Sequence, residues 1–197
     1  TLLTDLYELT MMQGYFKTGN NRTVIFDAFH RNNPCGGGYA IACGLDQVID
    51  YIKNLHFTDD DIAYLSSLNL FDNDFLDYLK NFHFTGDIYA IPEGTLIFPR
   101  EPIVKVIAPI IEAQLVETAI LNIINHQSLI ATKAARVCYA AKGDGIMEFG
   151  LRRARVLMPE YMVQELLSLL VVLEQVMFLQ VRCLTFRSKE PTLTAGL

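Results

Sequence analysis

The stretch Ile111–Arg136 constrains this chain more than any other. It reads as one long helix that is apolar on most sides. A surface helix carries a single apolar stripe, so a helix apolar nearly all round has to be wrapped by other elements. The chain is long enough to supply them: 197 residues favour one ordinary domain, or one domain with part of a second.

The candidate wrapping elements are short. Thr4–Tyr15 reads as a helix, with Thr4 as its cap and Asp5 and Glu8 at its positive end. Thr23–Phe29 is β-branched and aromatic, hence a strand. Asn33–Gly38 is a turn, and Tyr39–Cys43 is a second short strand. Leu45–Asn54 places Leu45, Val48, Ile49 and Ile52 on one helical face. Thr58 caps the next helix and Asp61 closes a capping box, so the acids Asp59–Asp61 read as capping rather than metal binding. Asn73–Asn81 repeats that pattern. Two short strands flank the Pro92-Glu93-Gly94 turn, and Pro99–Pro109 is strand-like. A small-residue turn, Ala140–Gly145, leads to a strand over Ile146–Leu151.

Composition breaks near residue 154. Residues 1–154 hold 17 Ile, 12 Asp and 10 Asn, whereas residues 155–197 hold none of these and carry 10 Leu and 6 Val. The plain reading is a Leu-rich helical tail. The tail has no net charge, so the −6 of the whole chain belongs to 1–154. That charge, with a pI near 5.2, argues against a nucleic-acid partner. The opening TLLTDLYELTMM has no basic n-region, so no signal peptide is expected. It lacks an initiator Met, which fits a fragment. Tyr161–Val181 contains Glu165, Glu174 and three Gln, too polar for a membrane span. The four Cys form no C-x-x-C pair, which reads as reduced thiols and a cytoplasmic location.

Little chemistry is visible from spacing alone. The four His have no partners at metal-ligand spacing, and His126 reads as a hydrogen-bonded core histidine. The Gly36–Gly38 run is not G-x-G-x-x-G and reads as a turn. Arg152 and Arg153 end the strand FGLRR, where a planar guanidinium suits a carboxylate, a phosphate or an ordinary salt bridge; spacing leaves these open. Tyr7 could offer a flat ring to an aromatic ligand, although its pattern favours core packing.

Five segments add more. TLLTDLYELTMMQGYF, GGGYAIACGL, FTGDIYAIPEG, EPIVKVIAPIIEAQLVETAILNIINHQSLIATKAAR and EFGLRRA resemble the N-terminal part of the bacterial nicotinate phosphoribosyltransferases, almost continuously over 1–154. The resemblance implies an α+β fold, the N-terminal domain of a type II phosphoribosyltransferase, plus the first strand of an incomplete α/β barrel. With the composition break, three regions are expected: an N-terminal domain over 1–140 containing the buried helix 111–136, the barrel start over 141–154, and the tail 155–197. The resemblance implies transfer of phosphoribose from phosphoribosyl pyrophosphate to nicotinate in NAD salvage, with Mg²⁺, ATP coupling and a homodimer whose sites lie between subunits. By the same resemblance Tyr7 reaches the pyridine ring from a neighbouring subunit and Phe149 lies on its other face. Arg152 pairs with the substrate's acyl group, and Asp5 and Arg153 lie near the phosphoribosyl site. The family's catalytic histidine sits in a GTHAHSW-like motif that this chain does not contain. His126 stands where the family has an apolar aromatic residue.

The tail fits a shifted reading frame. The family continues after FGLRRA as approximately QGPDAGIYGARAA. Codons can be chosen for GPDAGIYGARAA that, read one base later, give VLMPEYMVQELL, which is Val156–Leu167. KGTHAHSW shifted likewise gives KEPTLTAG, which is Lys189–Gly196. A one-base loss near codons 154–155 is therefore expected, with little or no activity in the chain as written. Two other readings stand beside it. One is a nicotinamide phosphoribosyltransferase-like enzyme. The other is a non-catalytic binding or regulatory protein whose tail is a real amphipathic helix with Val163, Leu166, Leu167 and Leu170 on its apolar face.

Overall fold

The computed structural model of the chain describes residues 2–142, 144 and 146. Its elements run α1 (Leu6–Lys17), β1 (Thr23–Phe29), β2 (Ala40–Ile41), α2 (Leu45–Lys53), α3 (Asp59–Ser67), α4 (Asn73–Lys80), β3 (Asp87–Ala90), β4 (Leu96–Ile97), β5 (Pro102–Pro109) and α5 (Ile110–Ala141). The mixed helix-and-sheet class is the one expected. No closed barrel is present among the described residues. The strand expected over Ile146–Leu151 lies outside them but for its first residue, as does the whole tail 155–197.

β5 is the centre of the larger sheet. It pairs antiparallel with β1, Phe26 opposite Val106, and with β3, Ile88 opposite Val106. Along β1 the alternate residues Val24, Phe26 and Ala28 are the less exposed set, the period of two that one covered face requires. β2 and β4 form a separate antiparallel pair, Ala40 opposite Ile97.

α5 packs on the covered face of this sheet. Ile110–Val116 are buried without interruption, the polar Glu112 among them accepting from the Thr85 N–H (2.6 Å) and hydroxyl (2.8 Å). Farther along the helix becomes one-sided, leaving Leu121, Leu129, Val137 and Tyr139 exposed. His126 is exposed as well, which overturns its reading as a core histidine: it sits on the open flank. The helix also runs to Ala141 and ends on Lys142 in the left-handed region (φ 53). The first part of the expected Ala140–Gly145 turn is therefore helical, in keeping with the high helix propensity of alanine.

Local caps follow the sequence closely. Thr58 accepts from the Asp61 N–H (3.1 Å), and the Asp61 carboxylate accepts from the Thr58 N–H (2.8 Å), the reciprocal box expected. At α1 the cap is Asp5, one residue later than Thr4. Pro34–Gly36 forms a tight 3₁₀ turn that leads into the rest of the glycine run. Gly37 is approached so closely by the Arg136 guanidinium that a Cβ there would overlap it. Arg136 in turn donates to the Tyr39 carbonyl (3.3 Å) and lies over its ring. Gly37 thus permits close packing on α5, which the reading as a turn did not foresee. Phe75, fully buried on α4, gathers Phe16, Phe71 and Tyr78 around it and ties α4 to α1.

Candidate functional site

One buried carboxylate holds the junction of α1 and α5. Glu8, in the first turn of α1, is fully buried. Its Oε2 accepts from the Thr4 hydroxyl and from the Asp5 backbone N–H (3.1 Å), and its Oε1 accepts from the Thr118 hydroxyl of α5 (2.9 Å). A charge removed from water requires such donors. The Thr118 hydroxyl also lies 3.5 Å from Asp5 Oδ2. A hydroxyl has one proton to give, and the shorter contact takes it.

Glu8, Leu9 and Met12 face inward, which turns the neighbouring stripe of α1 outward. Tyr7 is on that outer stripe, 51% exposed, with Met11. The expectation that Tyr7 packs in the core therefore fails, because Glu8 holds the inward position. Asp5, two residues before Tyr7, is exposed as well. Asp5, the N-cap, and Tyr7, in the first turn, are thus both exposed at the start of α1. Phe149, Arg152 and Arg153 lie outside the described residues.

Glu117, beside Thr118, is the second acid of the junction. Partial burial, and then the charge of Glu8, raise its carboxyl above the usual range; a hydrogen bond from Gln114 (3.1 Å) pulls the other way. Chiefly through the charge of Glu117, the Tyr7 phenol is in turn held above its ordinary value. Tyr7 is therefore a neutral ring at physiological pH.

Two recesses open on this stretch of α5. One, of about 450 Å³, is lined by His30, Arg31, Thr118, Asn122 and Asn125. The other, of about 360 Å³, is lined by Ile25, Asp27, Val116 and Glu117, and Leu121 borders both. Both are of ligand-binding size. Burial lowers the His30 pKa, so its ring is neutral at pH 7. Arg31 brings a fixed positive charge. The described residues hold no group of three or more His, Cys, Asp or Glu placed for a metal ion, and the Glu8 oxygens already accept three hydrogen bonds.

Glu8, Thr118 and Arg31 escape a reading of the sequence. Glu8 stands there only as an acid at a helix start, and its partner Thr118 is 110 residues away. The usable signal was the spacing Asp5-x-x-Glu8, a capping-box pattern.

Comparison with known proteins places this geometry in a family. The model of the nicotinate phosphoribosyltransferase N-terminal domain matches residues 2–125. A nicotinate phosphoribosyltransferase of Mycobacterium tuberculosis is 50% identical over 153 residues, covering 78% of this chain and 33% of that protein. That of Bacillus subtilis is 50% identical over 155 residues, covering 78% of this chain and 32% of that protein. The crystal structure of human nicotinic acid phosphoribosyltransferase superimposes with a TM-score of 0.71 at 32% identity, covering 81% of this chain and 32% of that one. A nicotinate-nucleotide pyrophosphorylase of Pyrococcus furiosus, TM-score 0.58 at 24% identity, shares the fold. The chain spans about a third of the length of these relatives. It belongs to the nicotinate phosphoribosyltransferase family.

Proposed function

We propose that residues 1–154 form the N-terminal part of an enzyme that joins nicotinate to phosphoribosyl pyrophosphate, giving nicotinate mononucleotide and pyrophosphate. Tyr7 covers one face of the pyridine ring across a homodimer interface, and Phe149 covers the other. Arg152 pairs with the nicotinate carboxylate through charge-assisted hydrogen bonds. Asp5 and Arg153 serve the phosphoribosyl group. Mg²⁺, ATP coupling and a cytoplasmic location belong to the same proposal, and no helix among the described residues is long and apolar enough to cross a membrane. The observation that carries the reading is Tyr7: a neutral ring, half exposed, on a helix anchored by a buried carboxylate.

The test joins residues 1–154 to the part of the Bacillus subtilis relative that follows its matched segment. The joined enzyme is expected to form nicotinate mononucleotide and to use nicotinamide poorly. Tyr7→Ala in it should raise the KM for nicotinate about three- to tenfold, the size of a lost aromatic stacking contact. Absence of product, or equal use of nicotinamide, overturns the assignment.

The 197-residue chain itself is proposed to be inactive, because it carries no GTHAHSW-like motif. A frame shift near codons 154–155 accounts for that. In its support, the relatives align over 78% of the chain, the share that 154 of 197 residues make up. The nucleotide sequence across codons 150–160, read one frame over, should restore GPDAG and later GTHAHSW.

A further inference from the structure

We infer that Glu8 is a positioning residue: its carboxylate clasps the entry of α1 to Thr118 of α5 and so sets where Tyr7 and Asp5 are held. The inference rests on the proposal that these two residues meet the ligand.

Three features carry it. First, a carboxylate is costly here unless donors meet it: Glu8 is fully buried beside Leu9 and Met12, and a buried charge is held only where it is hydrogen-bonded. Second, the donors converge from two directions. The Thr4 hydroxyl and the Asp5 N–H come from the segment entering the helix, and the Thr118 hydroxyl comes from the helix beneath. An apolar contact is non-directional and would leave α1 free to turn or slide. Three hydrogen bonds on one rigid carboxylate fix both the rotation of α1 and the path into it. Third, the clasp is next to what it would position. Asp5 donates to it directly, Tyr7 is its neighbour in sequence, and Thr118 lines the recess that contains Arg31. A small misplacement of a ligand-contacting group is costly in rate or affinity.

The test uses the full 197-residue chain and Glu8→Gln, Thr118→Val and Thr118→Ser variants. Hydrogen exchange reads the amides of Asp5 and Glu8, both hydrogen-bonded in the native chain. Glu8→Gln and Thr118→Val are expected to lose about tenfold of their protection there, with no change at the far end of α1 or in α3. Thr118→Ser, which keeps the hydroxyl, should restore it. Should Glu8→Gln fail to fold, Thr118→Val decides, since it removes one hydroxyl and keeps the volume. Unchanged exchange in Thr118→Val overturns the clasp.

The second measurement is made in the joined enzyme. Thr118→Val should raise the KM for nicotinate by more than it changes kcat, and should add nothing in a Tyr7→Ala background. If Tyr7→Ala raises KM and Thr118→Val does not, the positioning role is overturned and the assignment of Tyr7 stands. If neither raises KM, the assignment of Tyr7 fails, and the positioning role with it.

Discussion

Glu117 shows how a single acid can oppose the fold it sits in. Its carboxyl titrates above the ordinary 4.5 in the folded chain, because it is partly buried and faces Glu8 and Asp5. The folded state therefore holds the proton more tightly than the unfolded state does. Stability is undiminished below the unfolded pKa and falls as pH rises through the folded one. Glu117→Gln removes the charge and keeps an acceptor for Gln114. Thermal melts should show it more stable than the parent at pH 7, with the gap closing as pH falls below about 4. A variant less stable at pH 7 would mean that the carboxylate contributes something the geometry does not display. At this scale the sequence was informative about identity and poor about environment. Periodicity put Tyr7 in the core, but the core position went to Glu8, whose donor lies on α5. Pattern offered Tyr7 as a candidate ring but favoured the core, and only the resemblance gave Tyr7 and Asp5 a ligand, because a ligand-facing ring and a core ring look alike in a helical pattern.

At the scale of elements, local chemistry was legible and long-range packing was not. The Thr58–Asp61 box is written in four consecutive residues, and it forms as read. Thr58→Ala should cost about 0.5–2 kcal/mol, measured by denaturant unfolding, with the midpoint moving and the slope unchanged. Gly86 gave no such signal. A Cβ there would lie 2.4 Å from the Ala108 Cβ and 2.7 Å from the Ile107 carbonyl oxygen. The glycine lets the chain entering β3 run against β5, and the obstacle is partly backbone, which yields poorly. Gly86→Ala is therefore expected to destabilise by more than Thr58→Ala, and the same unfolding experiment ranks the two. α5 displays both sides of the lesson. The apolar residues of its buried first two turns follow from composition, whereas the buried Glu112 depends on donors from Thr85. Its open flank, with His126 and Leu129 exposed, depends on which elements reach that far, and no single-helix pattern records that.

For the molecule as a whole, the break near residue 154 separates two kinds of sequence. The first part has relatives, a family match over 2–125 and a core centred on β5 and α5. The second part lost every Ile, Asp and Asn while gaining Leu and Val, as a shifted frame would produce. A segment with that origin was never selected to pack on 1–154, and its removal should cost the fold little. For a chain of this size about 1 kcal/mol corresponds to roughly 2–4 °C in Tm. Ending the chain after Ala154 is therefore expected to move Tm by less than about 2 °C and to leave a single unfolding transition. The competing arrangement, an amphipathic helix with Val163, Leu166 and Leu170 laid on the domain, predicts the opposite. Burying three such side chains contributes several kcal/mol, at about 1.5–3 kcal/mol each. Their loss would lower Tm by many degrees, and the tail would then have to be counted as part of the fold.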